Sequence, residues 1–202
     1  MTKIKLCGLS RPCDIDAANE LQPDYIGFVF ARKSSRCIAP AQAADLKARL
    51  LPTIQAVGVF VDEAPETVAS LLNDRVIDMA QLHGSEDEEY IRRLRDLTDR
   101  PLIQAFRVRS SDDIARAGAS TADEILLDAG AGCGTSFNWL LLKDAARRYF
   151  LAGGLNPQNV REAIRGFRPY AVDVSSGIET DGKKDPVKMA DFVAAVREEE
   201  ET

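Results

Sequence analysis

Cys7 ends the run KIKLC and is followed at once by Gly8, so a thiol stands where an extended segment gives way to a turn. A buried free cysteine usually packs as a small hydrophobe, whereas one at the mouth of a strand beside a turn can act as a reagent. Position alone leaves both readings open. Asp128 poses a similar choice: it closes the apolar run EILLD and precedes the glycine-rich stretch AGAGCGTSFNW. A carboxyl group under such a cover, partly out of water, is expected to have a raised pKa and to serve as a proton donor. The ordinary alternative is a loop or helix-capping aspartate.

Two further segments have the composition of an anion site. LAGGLNPQNV contains Gly153 and Gly154, and DVSSGIET contains Ser175, Ser176 and Gly177. Glycines let backbone N–H groups approach an anion, serine hydroxyls add donors, and a helix start adds partial positive charge. In ARKSSRCI three cations cluster, which is usually a solvated surface; Arg36 could instead grip a carboxylate through its planar fork. His83, in QLHG, is expected to be a hydrogen-bonded structural histidine.

These residues need a scaffold, and the chain supplies a repeating one. Eight runs rich in β-branched or aromatic residues recur at 4–7, 24–30, 55–61, 77–83, 102–108, 123–128, 149–154 and 170–177. Between them lie segments with helical spacing, such as PAQAADLKARL, APETVASLLN, SEDEEYIRRLRDL and NPQNVREAIRG. Strand and helix alternating at about 25 residues imply a parallel sheet, and eight units close it into a (β/α)8 TIM barrel. QAVGVFV has no polar face and must be covered on both sides. An open doubly wound sheet would carry G-x-G-x-x-G after its first strand, and CGLSRP does not.

In such a barrel the reacting groups sit at the carboxyl ends of the strands, and loops seven and eight form the usual phosphate site. Cys7, Asp128, Gly153, Gly154 and Ser175 to Gly177 all fall at those ends, and the side chains of Cys7 and Asp128 can approach one bound molecule from different sides. Alternation along the first strand turns Lys5 and Cys7 the same way. A buried ammonium needs a partner, and barrel closure brings strand eight beside strand one, which predicts a Lys5–Asp173 pair and a nearby cation favouring the Cys7 thiolate.

The 202 residues are expected to form a single domain, residues 1–202, with the acidic EEEET tail as a frayed helix end. A net charge of -6 argues against a nucleic-acid surface. The short apolar run at the amino terminus, the lack of a membrane-length apolar stretch and four scattered cysteines without C-x-x-C predict a cytoplasmic protein with no membrane partner. One histidine cannot build a histidine-rich metal site. No apolar helix stripe marks a subunit contact, so monomer is the default.

Taken together, KLCGLSRPCD, IGFVFARKSSRCI, VGVFVDEAPE, AQLHGSE, EILLDAG, GTSFNW, LAGGLNPQNV and YAVDVSSGIE resemble, in the same order, the signatures of the phosphoribosylanthranilate isomerase family of tryptophan biosynthesis. That resemblance implies a (β/α)8 barrel that carries out an Amadori rearrangement of a phosphosugar with neither metal nor organic cofactor. It implies Cys7 as general base, Asp128 as general acid and Arg36 as the clamp on the anthranilate carboxylate. Gly153, Gly154, Ser175, Ser176 and Gly177 match the phosphate-binding segments, and Asp173 falls near the amine side of the substrate. The chain departs from the family pattern at Cys133, where threonine is usual, at Asn138, where aspartate is usual, and at Ala80, where valine is usual. The first two bear on how the loop closes over the sugar, and hence on substrate breadth. A barrel that only binds a phosphosugar is the rival from another class; it would have no need of Cys7 and Asp128. An isomerase of a histidine-pathway aminoaldose would commonly use two aspartates, a pentose-phosphate epimerase several histidines, and an indole synthase a catalytic lysine at the mouth.

Overall fold

Each β-branched or aromatic run pairs with the next one along the chain. A computed structural model describes residues 1–128, 130 and 139–200. Eight parallel strands close into a barrel: β1 Lys3–Cys7, β2 Tyr25–Val29, β3 Gln55–Phe60, β4 Met79–Leu82, β5 Leu102–Arg107, β6 Glu124–Asp128, β7 Tyr149–Ala152 and β8 Ala171–Val174. The seam between β8 and β1 sets Lys5 opposite Asp173 and leaves the ring without a free edge. The expected TIM barrel is the one that forms, and the seam rules out the open sheet. β4 and β8 are shorter than the runs that contain them, because His83 and Ser175 already belong to the loops.

The helices start where the chemistry of a first turn permits. α1 Pro12–Leu21, α2 Pro40–Ala48, α3 Pro65–Asn73 and α7 Pro186–Glu200 all begin on proline, whose missing N–H costs nothing there. α4 Glu88–Arg95 is capped by Asp87, which accepts the Tyr90 N–H at 2.9 Å, and α5 Ser111–Ala119 by a box between Ser110 and Asp113. α6 Val160–Phe167 starts later than its sequence run, because the Asn156 N–H donates to Asn159 Oδ1 and ties those residues into a loop first. Between β6 and β7 the described residues form a 3₁₀ helix, Trp139–Asp144. α7 reaches Glu200, so part of the acidic tail is helical, while residues 201 and 202 lie outside the described ones.

The main core lies between sheet and helices. A second apolar cluster fills the barrel itself, with Tyr25, Val57, Met79, Ile103, Leu126 and Phe150. β3 is buried from Ala56 through Phe60, as a strand covered on both faces must be. α7 packs on α1, α6 and β1, so the last helix covers the first strand. No helix among the described residues is long and apolar enough to cross a membrane.

Candidate active site

Alternation on β1 turns Lys5 and Cys7 into the barrel. Lys5 is fully buried, and its Nζ donates to Asp173 Oδ1 at 3.0 Å and to Gln81 Oε1 at 2.8 Å. The expected pair is therefore present. Burial alone would lower the Lys5 pKa, but Asp173 and the neighbouring Cys7 sulfur hold it above the ordinary lysine value. With two acceptors on one ammonium, a charge that would be prohibitive alone is accommodated in the interior.

Cys7 is 7% exposed and packs against Val29 and Val59. Its neighbour across the ladder is Gly27 on β2, and a Cβ at that position would lie 2.6 Å from the sulfur. Glycine is thus required for the thiol to occupy its place. The nearby cation does favour the thiolate, as expected, but it does not prevail. Burial, the largest influence, pushes the Cys7 thiol up and outweighs the downward pull of Lys5 and Lys184, with Asp173 adding to the rise.

Asp128 ends β6 at the same face of the barrel. Its Oδ1 accepts the Gly130 N–H at 2.8 Å, and its Oδ2 lies 3.3 Å from His83 Nε2. Here the sequence expectation of a raised pKa is reversed. Burial pushes the carboxyl up, but the hydrogen bonds from His83 and Gly130 and the charge of Arg107 outweigh it and hold Asp128 below the ordinary carboxylate range.

His83 is hydrogen-bonded, as expected of it, and the partners tie it to the site. Its Nδ1 lies 2.8 Å from Gln81 Nε2, and Gln81 in turn receives Lys5. A line of contacts therefore runs from Asp173 through Lys5, Gln81 and His83 to Asp128. Sequence reasoning passed over Gln81. The available signal was its spacing of two from His83, which turns both side chains the same way where β4 runs into its loop.

Arg36, in the loop after β2, does not stand free. Its Nε and Nη2 donate to the two carboxylate oxygens of Glu179, each at 2.6 Å. Glu179 opens the hairpin formed by β9 Glu179–Thr180 and β10 Lys183–Lys184, and Lys184 Nζ reaches the same carboxylate at 2.5 Å. Although burial pushes Glu179 up, Arg36 and Lys184 bring its pKa down to about 2. The contact uses the Nε–Nη2 edge of the guanidinium; the Nη1–Nη2 edge is a second fork that can take another carboxylate. Neither Glu179 nor Lys184 was singled out from sequence, since both lie in a loop that carries no periodic signal.

The two glycine and serine segments meet as expected. Gly153 and Gly154 follow β7 with φ of 99° and 70°, and a Cβ on Gly177 would fall 1.9 Å from the Leu155 carbonyl oxygen, so loops seven and eight press directly together. The expected helix start after β8 is a single 3₁₀ turn, Ser176–Ile178. The Ser175 hydroxyl and carbonyl both accept from Lys184 Nζ, at 3.2 and 2.9 Å, which joins the serine segment to the Arg36 cluster. Beside the mouth, a cavity of about 880 Å³ opens between the loops after β4 and β5, with His83 and Arg107 in its wall. No group of three or more His, Cys, Asp or Glu able to hold a metal ion occurs among the described residues.

Comparison with known proteins gives this geometry its context. The model of the family described as N-(5'phosphoribosyl)anthranilate (PRA) isomerase matches residues 4–195. The chain belongs to the N-(5'-phosphoribosyl)anthranilate isomerase family. It is 43% identical to the N-(5'-phosphoribosyl)anthranilate isomerase of Acetivibrio thermocellus over 98% of this chain and 97% of that protein. The crystal structure of phosphoribosyl anthranilate isomerase from Thermotoga maritima matches with a TM-score of 0.89 at 37% identity, covering 98% of this chain and all of that one. A phosphoribosyl anthranilate isomerase solved with reduced 1-(o-carboxyphenylamino)-1-deoxyribulose 5-phosphate matches with a TM-score of 0.87, also at 37% identity and covering 98% of this chain and all of that one. Of the three departures from the phosphoribosylanthranilate isomerase pattern, Ala80 is buried in the shell between sheet and helices, away from the barrel interior. Cys133 and Asn138, with the rest of the GTSFN segment, lie outside the described residues.

Proposed function

We infer that this protein converts N-(5-phosphoribosyl)anthranilate into 1-(o-carboxyphenylamino)-1-deoxyribulose 5-phosphate, in tryptophan biosynthesis. The observation that carries this is the family match over residues 4–195, in a barrel whose strand ends bear both a thiol and a carboxylate. In the proposed reaction Asp128 gives a proton to the ribose ring oxygen. The C1–O bond breaks and the nitrogen lone pair forms an imine at C1. That imine acidifies the C2 proton, which the Cys7 thiolate removes, leaving an enolamine that tautomerises to the ketone. Each proton transfer contributes roughly 10²–10⁴-fold. Arg36 is proposed to take the anthranilate carboxylate on its outer edge, with Asp173 near the amine. Gly153, Gly154, Ser175, Ser176 and Gly177 are proposed to take the phosphate. Substrate anchored at both ends then presents C1 and C2 between acid and base.

The directions of the two pKa shifts leave the resting proton on Cys7 and Asp128 ionised. The working form has the proton on Asp128 and the charge on Cys7. Both forms carry the same total charge, so they interchange without net proton uptake, and the gap between the two pKa values sets the reactive fraction. Bound substrate displaces water from Asp128, which favours its neutral form.

Turnover of N-(5-phosphoribosyl)anthranilate by the purified protein tests this assignment. Native protein is expected to be active, with Cys7→Ala and Asp128→Asn each reducing kcat by more than about 10²-fold. Binding of substrate without turnover by native protein would leave the barrel a phosphosugar-binding module instead. We further take the chain as one barrel domain over residues 1–202, a reading supported by the packing of α7 on β1, and as a cytoplasmic monomer acting on a small phosphosugar without nucleic-acid or membrane partners. Sedimentation of the purified protein checks the oligomeric part.

A further inference from the structure

The contacts between Lys5 and His83 have a fixed polarity. An ammonium has donors only, so the Gln81 atom that faces Lys5 at 2.8 Å must be the carbonyl oxygen. The atom left to face His83 Nδ1, also at 2.8 Å, is then the amide nitrogen, which can only donate. Nδ1 must accept, and in the neutral ring the proton is left on Nε2, 3.3 Å from Asp128 Oδ2. Lys5 cannot relax this order, being fully buried and held from its other side by Asp173 at 3.0 Å. Charged groups bearing on His83 and its partner include Asp128 of β6, Arg107 of β5 and, through Gln81, Lys5 of β1 with Asp173 of β8, and Glu86 accepts the N–H of the adjacent Gly84.

We propose that Gln81 is a positioning residue of the reaction: oriented by Lys5, it locks His83 into the Nε2–H tautomer, and His83 in that form holds the Asp128 carboxyl at its working angle. The proposal rests on Asp128 being the acid of the proposed function. Gln81 carries no proton it can readily release, so the chain orients and does not conduct. His83 fixes one oxygen of Asp128 and the Gly130 N–H the other, so the plane of the carboxyl is set by two donors. The buried ion pair at the seam of the barrel thereby acts on an acid two strands from β8.

The chain has one histidine, so the imidazole nitrogens of ¹⁵N-labelled protein give signals that need no assignment. Native protein, with the ring neutral, is expected to show protonated Nε2 and bare Nδ1. Gln81→Glu keeps an acceptor for Lys5 but presents a second acceptor to Nδ1, and is expected to place a proton on Nδ1, as the opposite tautomer or the doubly protonated ring. Its kcat should fall roughly 10- to 100-fold with KM nearly unchanged, because the acid is misaligned and not removed. Gln81→Leu, which gives Nδ1 no partner, should show a mixture of tautomers and an intermediate kcat. A native spectrum with Nδ1 protonated, an unchanged spectrum in Gln81→Glu, or an altered spectrum with native kcat overturns the proposal. The spectra need no substrate. A native protein without turnover sinks the proposed function and the catalytic half of this proposal, whereas the tautomer lock is judged by the spectra alone.

Discussion

Arg36 and Glu179 meet edge to edge, with Nε and Nη2 each 2.6 Å from a carboxylate oxygen, across 143 residues of chain. The contact fixes a long, flexible side chain at the position proposed to read the substrate carboxylate. In an enzyme that must choose an aromatic carboxylate, a guanidinium already held in plane loses less entropy on binding than a free one.

Glu179→Gln is therefore expected to raise KM about tenfold, the equivalent of one charge-assisted contact, and to change kcat by less than about threefold. Steady-state kinetics decide between this and a direct catalytic role, which would lower kcat. The same variant carries a pH signature. Since the folded carboxyl is held at about 2 against an ordinary value of 4.5, it stabilises the fold fully above the ordinary value and loses that contribution as pH falls towards about 2. Urea midpoints taken between pH 5 and pH 2 should fall less steeply in Glu179→Gln than in native protein.

Lys5→Met leaves Asp173 buried without its cation and is expected to cost about 3–5 kcal/mol of stability, as other broken buried pairs do. Adding Asp173→Leu removes the stranded charge and should recover a substantial part. Urea unfolding of the two variants checks both signs; a double variant no more stable than Lys5→Met would show that the pair itself is not what matters.

Gly27→Ala places a methyl group where the Cys7 sulfur lies. With Cys7 as the proposed base, a thiol displaced by about 1 Å is expected to lose roughly 10²-fold in rate. Catalysis should suffer far more than the melting temperature, since the fold can shift one side chain more cheaply than the reaction can tolerate it. Comparable losses in both would mean that the strand itself has moved.

Alkylation reports the Cys7 proton directly. In a Cys13→Ser, Cys37→Ser, Cys133→Ser background, the rate of reaction with iodoacetamide should inflect above the ordinary thiol value of about 8.5, because burial disfavours the thiolate. An inflection below that value would mean that Lys5 and Lys184 dominate after all.

Much of this architecture was legible in the sequence because it rests on local chemistry. Strand runs announced themselves through β-branched residues, and proline marked the helix starts at Pro40 and Pro65. The Lys5–Asp173 pair followed from two simple facts, alternation along a strand and closure of a ring. The directions of the Cys7 and Asp128 shifts did not follow, because each is a small difference between burial and specific partners. Cys7 has two lysines nearby and still stays protonated; Asp128 is largely buried and still stays ionised, owing to a ring nitrogen and one backbone N–H. Gln81 was invisible for another reason: its importance comes from lying across the barrel from Lys5, 76 residues away. Glu179 sits in a hairpin whose position over Arg36 no local pattern encodes.

The seam between the first and last strands has a consequence for biosynthesis. Lys5 is translated 168 residues before Asp173, so an early half-barrel holds an ammonium without the carboxylate that meets it in the closed ring. Premature burial of that nitrogen is unfavourable, which disfavours closure of the sheet on an incomplete set of strands before the eighth is available.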